Sequence, residues 1–260
     1  MTVRLTVLSL GAGVQSTTMA LMAARGEIKP MPDCAIFADT GWEPRAVYEH
    51  FDRLEPLLPF PVHRVSAGNI RSDMIAKVNA TGQRFAAIPF FTLSKTGQRG
   101  MARRQCTKEY KLEPIRRLVV EMMGGRPKGG CEVWLGISTD EAIRMKPSRV
   151  RYMTSRWPLI EADMSRRDCE RWLLAQGMSA PKSACIGCPF RSNEAWRSLK
   201  PEEFADAVEV DAAIRHPWGM RSQAFLHRDR VPLDKADLRT HAERGQPDLF
   251  GNECEGMCGV

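Results

Sequence analysis

Two groups of residues in this chain of 260 have types and spacings suited to chemistry. In Cys185-Ile-Gly-Cys188-Pro, two thiols share one tight turn, and both can reach a single metal ion or cluster. Soft thiolate donors select zinc or iron–sulfur chemistry over hard cations. The second group is Ser9-Leu-Gly11-Ala12-Gly13-Val-Gln15-Ser16-Thr17, a Gly/Ser turn between an apolar run and a helical pattern. A strand that enters a helix through such a turn aims backbone N–H groups above the sheet. The helix dipole adds partial positive charge, so a phosphate is the natural ligand.

These groups need a frame, and the hydrophobic periodicity supplies one. Residues 3–10 read as a strand and 14–24 as a helix. A strand at 34–39, a helix at 46–58, a strand at 62–65 and a helix at 69–78 follow. From 81 to 104 the pattern lapses. It resumes with a helix at 112–123 and a buried strand at 131–137. A basic segment at 144–156 and a short extended piece at 158–160 come next. A helix at 165–176 is capped by Ser165, with Asp168 in its first turn. The thiol turn occupies 181–190, and helices are expected at 193–199 and 201–215. This alternation predicts an α/β fold: an open, mostly parallel sheet of about five strands flanked by helices. The expected organisation is a nucleotide-binding domain over 1–180 and a helical, cysteine-bearing extension over 181–260.

The formal net charge is +7, which suits anionic partners such as nucleotides or nucleic acid. Arg99, Arg103, Arg104, Lys108, Lys111, Arg116 and Arg117 concentrate that charge in one stretch. The first residues enter a strand with no signal-peptide run, and no segment approaches the roughly 18 apolar residues of a membrane span. A cytoplasmic protein with no membrane partner is therefore expected, and in that setting eight cysteines argue against a disulfide framework. Cys34, Cys131 and Cys169 lie in apolar patterns and read as core residues. A zinc knuckle built from Cys185, Cys188 and the tail pair Cys254 and Cys258 is one use of the remaining thiols. The five histidines are scattered, and none is assigned a role.

Gly11-Ala-Gly13-Val-Gln-Ser16 loosely matches the dinucleotide fingerprint G-x-G-x-x-G/A, with Asp39 placed as its ribose acid. A longer alignment covers more. Ser9 to Thr17 resembles, without gaps, the PP-loop S-x-S-G-G-x-D-S-T of the adenine-nucleotide α-hydrolase superfamily. Gly11, Ala12 and Gln15 stand where that pattern has Ser, Gly and Asp. Asp39-Thr40-Gly41 is similar to the D-T-G of phosphoadenylyl-sulfate (PAPS) reductases. Cys106-Thr-Lys-Glu-Tyr-Lys111-Leu-Glu-Pro114 resembles the C-C-x-x-x-K-x-x-P segment of iron–sulfur adenylyl-sulfate (APS) reductases. Gly136 to Arg144, and Pro158 onward to Asp168 and Trp172, resemble further segments in the same order. The chain is identified as resembling the PAPS-reductase-like family over about residues 5–190.

The resemblance implies a set of roles. Ser9, Gly11, Ala12, Gly13, Gln15, Ser16 and Thr17 would hold the pyrophosphate portion of the nucleotide. Asp39, Thr40 and Gly41 would meet its ribose or adenine side, and Lys111 and Arg144 would stabilise developing charge. Cys106 joins Cys185 and Cys188 as third metal ligand, for a [4Fe-4S] cluster with zinc as the alternative. Arg103, Arg104 and Lys108 around Cys106 would lower its thiol pKa. The implied activity is cleavage of ATP with Mg2+ to AMP and pyrophosphate, coupled to sulfur transfer. The acceptor would be a nucleic acid, tRNA or DNA, tracked by the basic stretch 99–128, with a sulfur-donor protein as a further partner. Two alternatives stay open. One is a PAPS/APS reductase using the tail nucleophile Cys258 and thioredoxin. The other is a non-catalytic nucleotide-binding partner. Asp140 and Glu141, just past a strand's carboxyl end, either bind magnesium or cap a helix.

Overall fold

The computed structural model describes residues 3–85, 87–125, 129–240 and 242–245. In chain order the strands are β1 (Val3–Leu10), β2 (Cys34–Asp39), β3 (Val62–Ser66), β4 (Phe91–Leu93), β5 (Arg99–Met101), β6 (Gly130–Trp134), β7 (Met153–Arg156) and β8 (Gln223–Phe225). The helices are α1 (Val14–Ala24), α2 (Arg45–Leu54), α3 (Ile70–Ile75), α4 (Glu113–Met122), α5 (Pro158–Glu161), α6 (Arg166–Ala175), α7 (Asn193–Arg197) and α8 (Pro201–Ala213). Five strands form one parallel sheet in the order β3-β2-β1-β6-β7. The expected α/β class and five-stranded parallel sheet are what the structure shows.

Side chains alternate across β1, and the two faces are filled separately. Leu8 and Leu10 face a cluster with Phe37, Met19 of α1 and Leu173 of α6. Val7 faces the opposite cluster, with Ile36 of β2 and Ile115 and Val119 of α4. Each such aliphatic side chain contributes about 1.5–3 kcal/mol by leaving water. Cys34, Cys131 and Cys169 are buried as expected, and burial pushes their thiols up to about 11, 12 and 12. Ser165 caps α6, accepting from the Asp168 N–H while the Asp168 carboxylate accepts from its own N–H.

The structure departs from the sequence reading in four places. The helix expected over 46–58 leaves α geometry after Leu54 and finishes as a 3-10 turn, Glu55–Leu57. Residues 158–160, expected to be extended, form the helical turn α5, because Pro158 occupies the first helical position, where its missing N–H costs nothing. The basic segment contains β7, an edge strand whose polar residues hide it from a hydrophobic scan. The lapse at 81–104 contains β4 and β5, which pair with β8 in a small antiparallel sheet. That sheet packs with α3 and α8 around Trp42, Ile70, Tyr110 and Trp196.

One buried histidine ties α1 to α2. His50 Nε2 lies 2.9 Å from Thr17 Oγ1, and burial, with Arg53 nearby, holds the imidazole below its ordinary range. The unfolded imidazole titrates near 6.5 and takes its proton first. Stability contributed by neutral His50 is therefore complete above that pH and declines as pH falls below it. Urea midpoints between pH 7 and pH 5 should fall for the native chain. For His50→Gln the slope should be shallower by up to one proton, about 1.4 kcal/mol per pH unit at most. An unchanged slope contradicts this assignment.

Candidate functional site

The turn after β1 is built around Ser16. Gly13 is the N-terminal cap of α1, and the N–H groups of Gly11 and Gly13 each donate to Ser16 Oγ at 3.2 Å. Two amides converging on one oxygen is the arrangement in which a backbone loop holds an anion's oxygen. Ala12 adopts a φ of 53°, left-handed and fully buried, which explains why the PP-loop pattern prefers glycine there. Two remote segments press on the turn. Ser183 Oγ donates to the Gly11 carbonyl, and a Cβ on Gly13 would lie 3.0 Å from Ser183 Cβ. Gly136, just beyond β6, passes so close to the start of α1 that a Cβ there would lie 2.9 Å from Ser16 N.

Above the turn opens a cleft of about 1000 Å³. Ser9, Gly11, Gly13, Gln15 and Ser16 line it, together with the cations Lys111, Arg144, Arg166 and Lys182 and one acid, Glu141. Gln15 has no charge of its own but reaches one: Nε2 donates to Glu141 Oε2 at 3.2 Å and stands 3.4 Å from Ser138 Oγ. Glu141 also pairs with Arg144 at 2.5 Å. The carboxylate that the PP-loop pattern carries at the position of Gln15 is thus supplied to the cleft from the segment after β6.

A second cavity, about 410 Å³, adjoins the first. Thr40, Cys106, Lys111, Cys185 and Cys188 all line it, so three thiols distant in sequence share one wall space. Cys106 immediately precedes a π-helical stretch, Thr107–Leu112, that runs into α4 and carries Lys111. Single π turns inside α-helices recur at functional sites. The Cys185–Cys188 turn is held by Arg191, 5% exposed, whose guanidinium donates to the carbonyls of Ala184 and Ile186 at 2.9 Å and of Cys185 at 3.2 Å. The Trp42 ring fills the place a side chain at Gly187 would take, and its Nε1 donates to Asp206 at 2.6 Å. Among the described residues, no group of three His, Cys, Asp or Glu side chains is arranged to hold a metal ion.

A third cavity, a groove of about 1650 Å³, runs from Ser9 and Lys111 between α4 and β7. Lys108, Arg116, Lys146 and Arg149 join Lys111 along it, and its lining contains no acid. Lys111 therefore borders all three cavities.

Most of the residues singled out in the sequence converge here, but three do not face a cavity. Thr17 is turned into the core, with its hydroxyl on His50. Asp39 accepts from Gly41 N and Tyr48 Oη at 2.8 Å and from Arg64 at 2.7 Å. Burial alone would raise its carboxyl, but the bonds from Arg64, Gly41 and Tyr48 outweigh this and hold it below the usual carboxylate range. Gly41, with φ of 71°, makes the close pass beside Asn69. Cys258 lies outside the described residues, as does Cys254. Ser183, Arg166, Lys182 and Glu43 were not singled out in the sequence. Ser183 and Lys182 directly precede the thiol turn, which is the signal that points to them.

No family model matches the chain, and no curated protein matches it. Among solved structures the chain is similar to the phosphoadenylyl-sulfate (PAPS) reductase from Candida auris in its phosphate complex. The identity is 12%, the TM-score 0.44, and the match covers 68% of this chain and 74% of that one. Among the described residues, no helix is long and apolar enough to cross a membrane.

Proposed function

We propose that this chain is an adenine-nucleotide-dependent enzyme that splits ATP into AMP and pyrophosphate and couples the cleavage to sulfur transfer, with a nucleic acid as acceptor. The observation that carries the reading is the shared wall: Lys111 lines both the cleft above the Gly/Ser turn and the cavity of Cys106, Cys185 and Cys188. Nucleotide chemistry and sulfur chemistry thus have adjoining compartments.

The Gly11 and Gly13 amides and the Ser16 hydroxyl would hold the pyrophosphate portion. Arg144, Arg166 and Lys182 would offset the charge on the phosphates, as preorganised donors do in phosphoryl-transfer sites. Glu141 is the hard oxygen donor in the cleft lining, which suits Mg2+ bound to a nucleotide's phosphates. An acceptor oxygen attacks the α-phosphorus, and the bond to pyrophosphate breaks with its electron pair. A sulfur nucleophile then displaces AMP, which carries that oxygen away. The thiols of Cys106, Cys185 and Cys188 suit a thiophilic centre, and an iron–sulfur cluster bound there would supply an open iron for the sulfur. Zinc in the same place would instead fix the turn. The basic groove beside the cleft would take the phosphate backbone of the tRNA or DNA acceptor.

Incubation with ATP, APS and PAPS in parallel, each with Mg2+, tests the reading. AMP and pyrophosphate from ATP support it. Sulfite from APS or PAPS with thioredoxin as reductant identifies a reductase instead. Tight nucleotide binding without any product identifies a non-catalytic partner.

A further inference from the structure

Glu43 is the unexplained group of the thiol cavity. It is a buried acid, 4% exposed, and its two oxygens are unequally served. Oε1 has three long contacts: Thr40 Oγ1 at 3.3 Å, Lys111 Nζ at 3.4 Å and Cys185 Sγ at 3.7 Å. Oε2 is buried and has no partner. Leaving a buried carboxylate oxygen unfilled is costly, and such an atom in a native fold calls for an occupant. The fold keeps the carboxylate in place. The Glu43 N–H donates to Tyr48 Oη, the Trp42 carbonyl accepts from Ile186 N at 2.9 Å, and Pro44 caps α2.

The spacing to Cys185 identifies a class of occupant. With metal–sulfur bonds of about 2.3 Å and metal–oxygen bonds of about 2.0–2.2 Å, two ligand atoms on a tetrahedral ion stand roughly 3.5 Å apart. Cys185 Sγ and Glu43 Oε1 are 3.7 Å apart. We propose that Glu43 is the oxygen ligand of a mixed thiolate–carboxylate metal centre, with Cys185, Cys188 and Cys106 as its sulfur ligands. This rests on the reading of the three cysteines as a metal centre. It supplies the fourth donor from the loop after β2 rather than from the cysteines of the tail. Glu43 and Cys185 already stand at ligand spacing, while the other two thiols close on the ion by side-chain rotation. An oxygen donor on a soft metal is also the ligand most readily exchanged for sulfur.

Anaerobic titration of the reduced, metal-free full-length protein with Co2+, followed by visible and near-ultraviolet absorption, tests the proposal. The native chain should bind one Co2+ with thiolate charge-transfer and tetrahedral ligand-field bands. Glu43→Gln should keep the charge-transfer band, shift the ligand-field bands and weaken binding by at least about tenfold. Glu43→Cys should restore the affinity and add charge-transfer intensity. It provides the second variant should Glu43→Gln fail to show a native circular dichroism spectrum. If Glu43→Gln matches the native chain in bands and affinity, Glu43 is not a ligand and the three-cysteine centre stands. If Cys258→Ser removes the fourth donor, the tail supplies it and the proposal fails. If the native chain binds no Co2+, or Cys185→Ser binds it unchanged, the metal-centre reading itself falls.

Discussion

Gly136→Ala should lower ATP cleavage by on the order of 100-fold, the loss that follows from misplacing reacting groups by about 1 Å. The added Cβ would stand 2.9 Å from Ser16 N, 3.1 Å from Ser16 Cα and 3.2 Å from the Gln15 carbonyl carbon. All three are backbone atoms at the start of α1, so no side-chain rotation relieves the contact. The turn that gathers the Gly11 and Gly13 amides must shift, and overpacking of this kind costs about 1–3 kcal/mol in stability. Gly11→Ala is the control. A Cβ there meets nothing closer than 3.7 Å, and activity should stay within a few-fold of the native chain. Turnover and urea midpoints of the two variants decide the matter. Full activity in Gly136→Ala would remove the turn from the mechanism.

The second large effect concerns Lys111. Its ammonium is 3.4 Å from the Glu43 carboxylate, and the two side chains are 21% and 2% exposed. Lys111→Met leaves that buried acid without its cation. Breaking a fully buried pair costs about 3–5 kcal/mol, and partial exposure of the lysine reduces the figure here to about 1–3 kcal/mol. ATP cleavage should also be lost, because the same ammonium borders the nucleotide cleft. Lys111→Met combined with Glu43→Gln removes the unpaired charge. The double variant should recover most of the stability and none of the activity. Recovery of both would make Lys111 a structural cation.

The parts legible in the sequence are those governed by local rules. β1, α1 and β2 begin and end at the predicted residues, because apolar periodicity and glycine punctuation mark them without help from the rest of the chain. The strands β4, β5 and β8 are three residues each, too short to show a period, and they exist through pairing across more than a hundred residues. The site divides in the same way. The Gly/Ser turn, Lys111, Arg144 and the thiol turn are visible as types at spacings. Ser183 on the Gly11 carbonyl, Gly136 against Ser16 and Glu43 beside Cys185 arise from approaches that only the folded chain brings about. Asp39 shows the converse. An acid at the carboxyl end of a strand suggests a ribose ligand, yet its oxygens serve Arg64, Tyr48 and the Gly41 N–H. Gln15 shows a third pattern, since its loss of charge relative to the PP-loop is met by Glu141 3.2 Å away.

The central claim is that the turn and the cations around it cleave an adenine nucleotide between its α and β phosphates. The most direct measurement is product analysis after incubating the purified protein with Mg2+ and ATP labelled at the α-phosphate, with APS and PAPS in parallel. The account predicts labelled AMP with an equal amount of pyrophosphate, dependent on Mg2+ and abolished in Lys111→Met. Unchanged ATP together with sulfite released from APS or PAPS would contradict it.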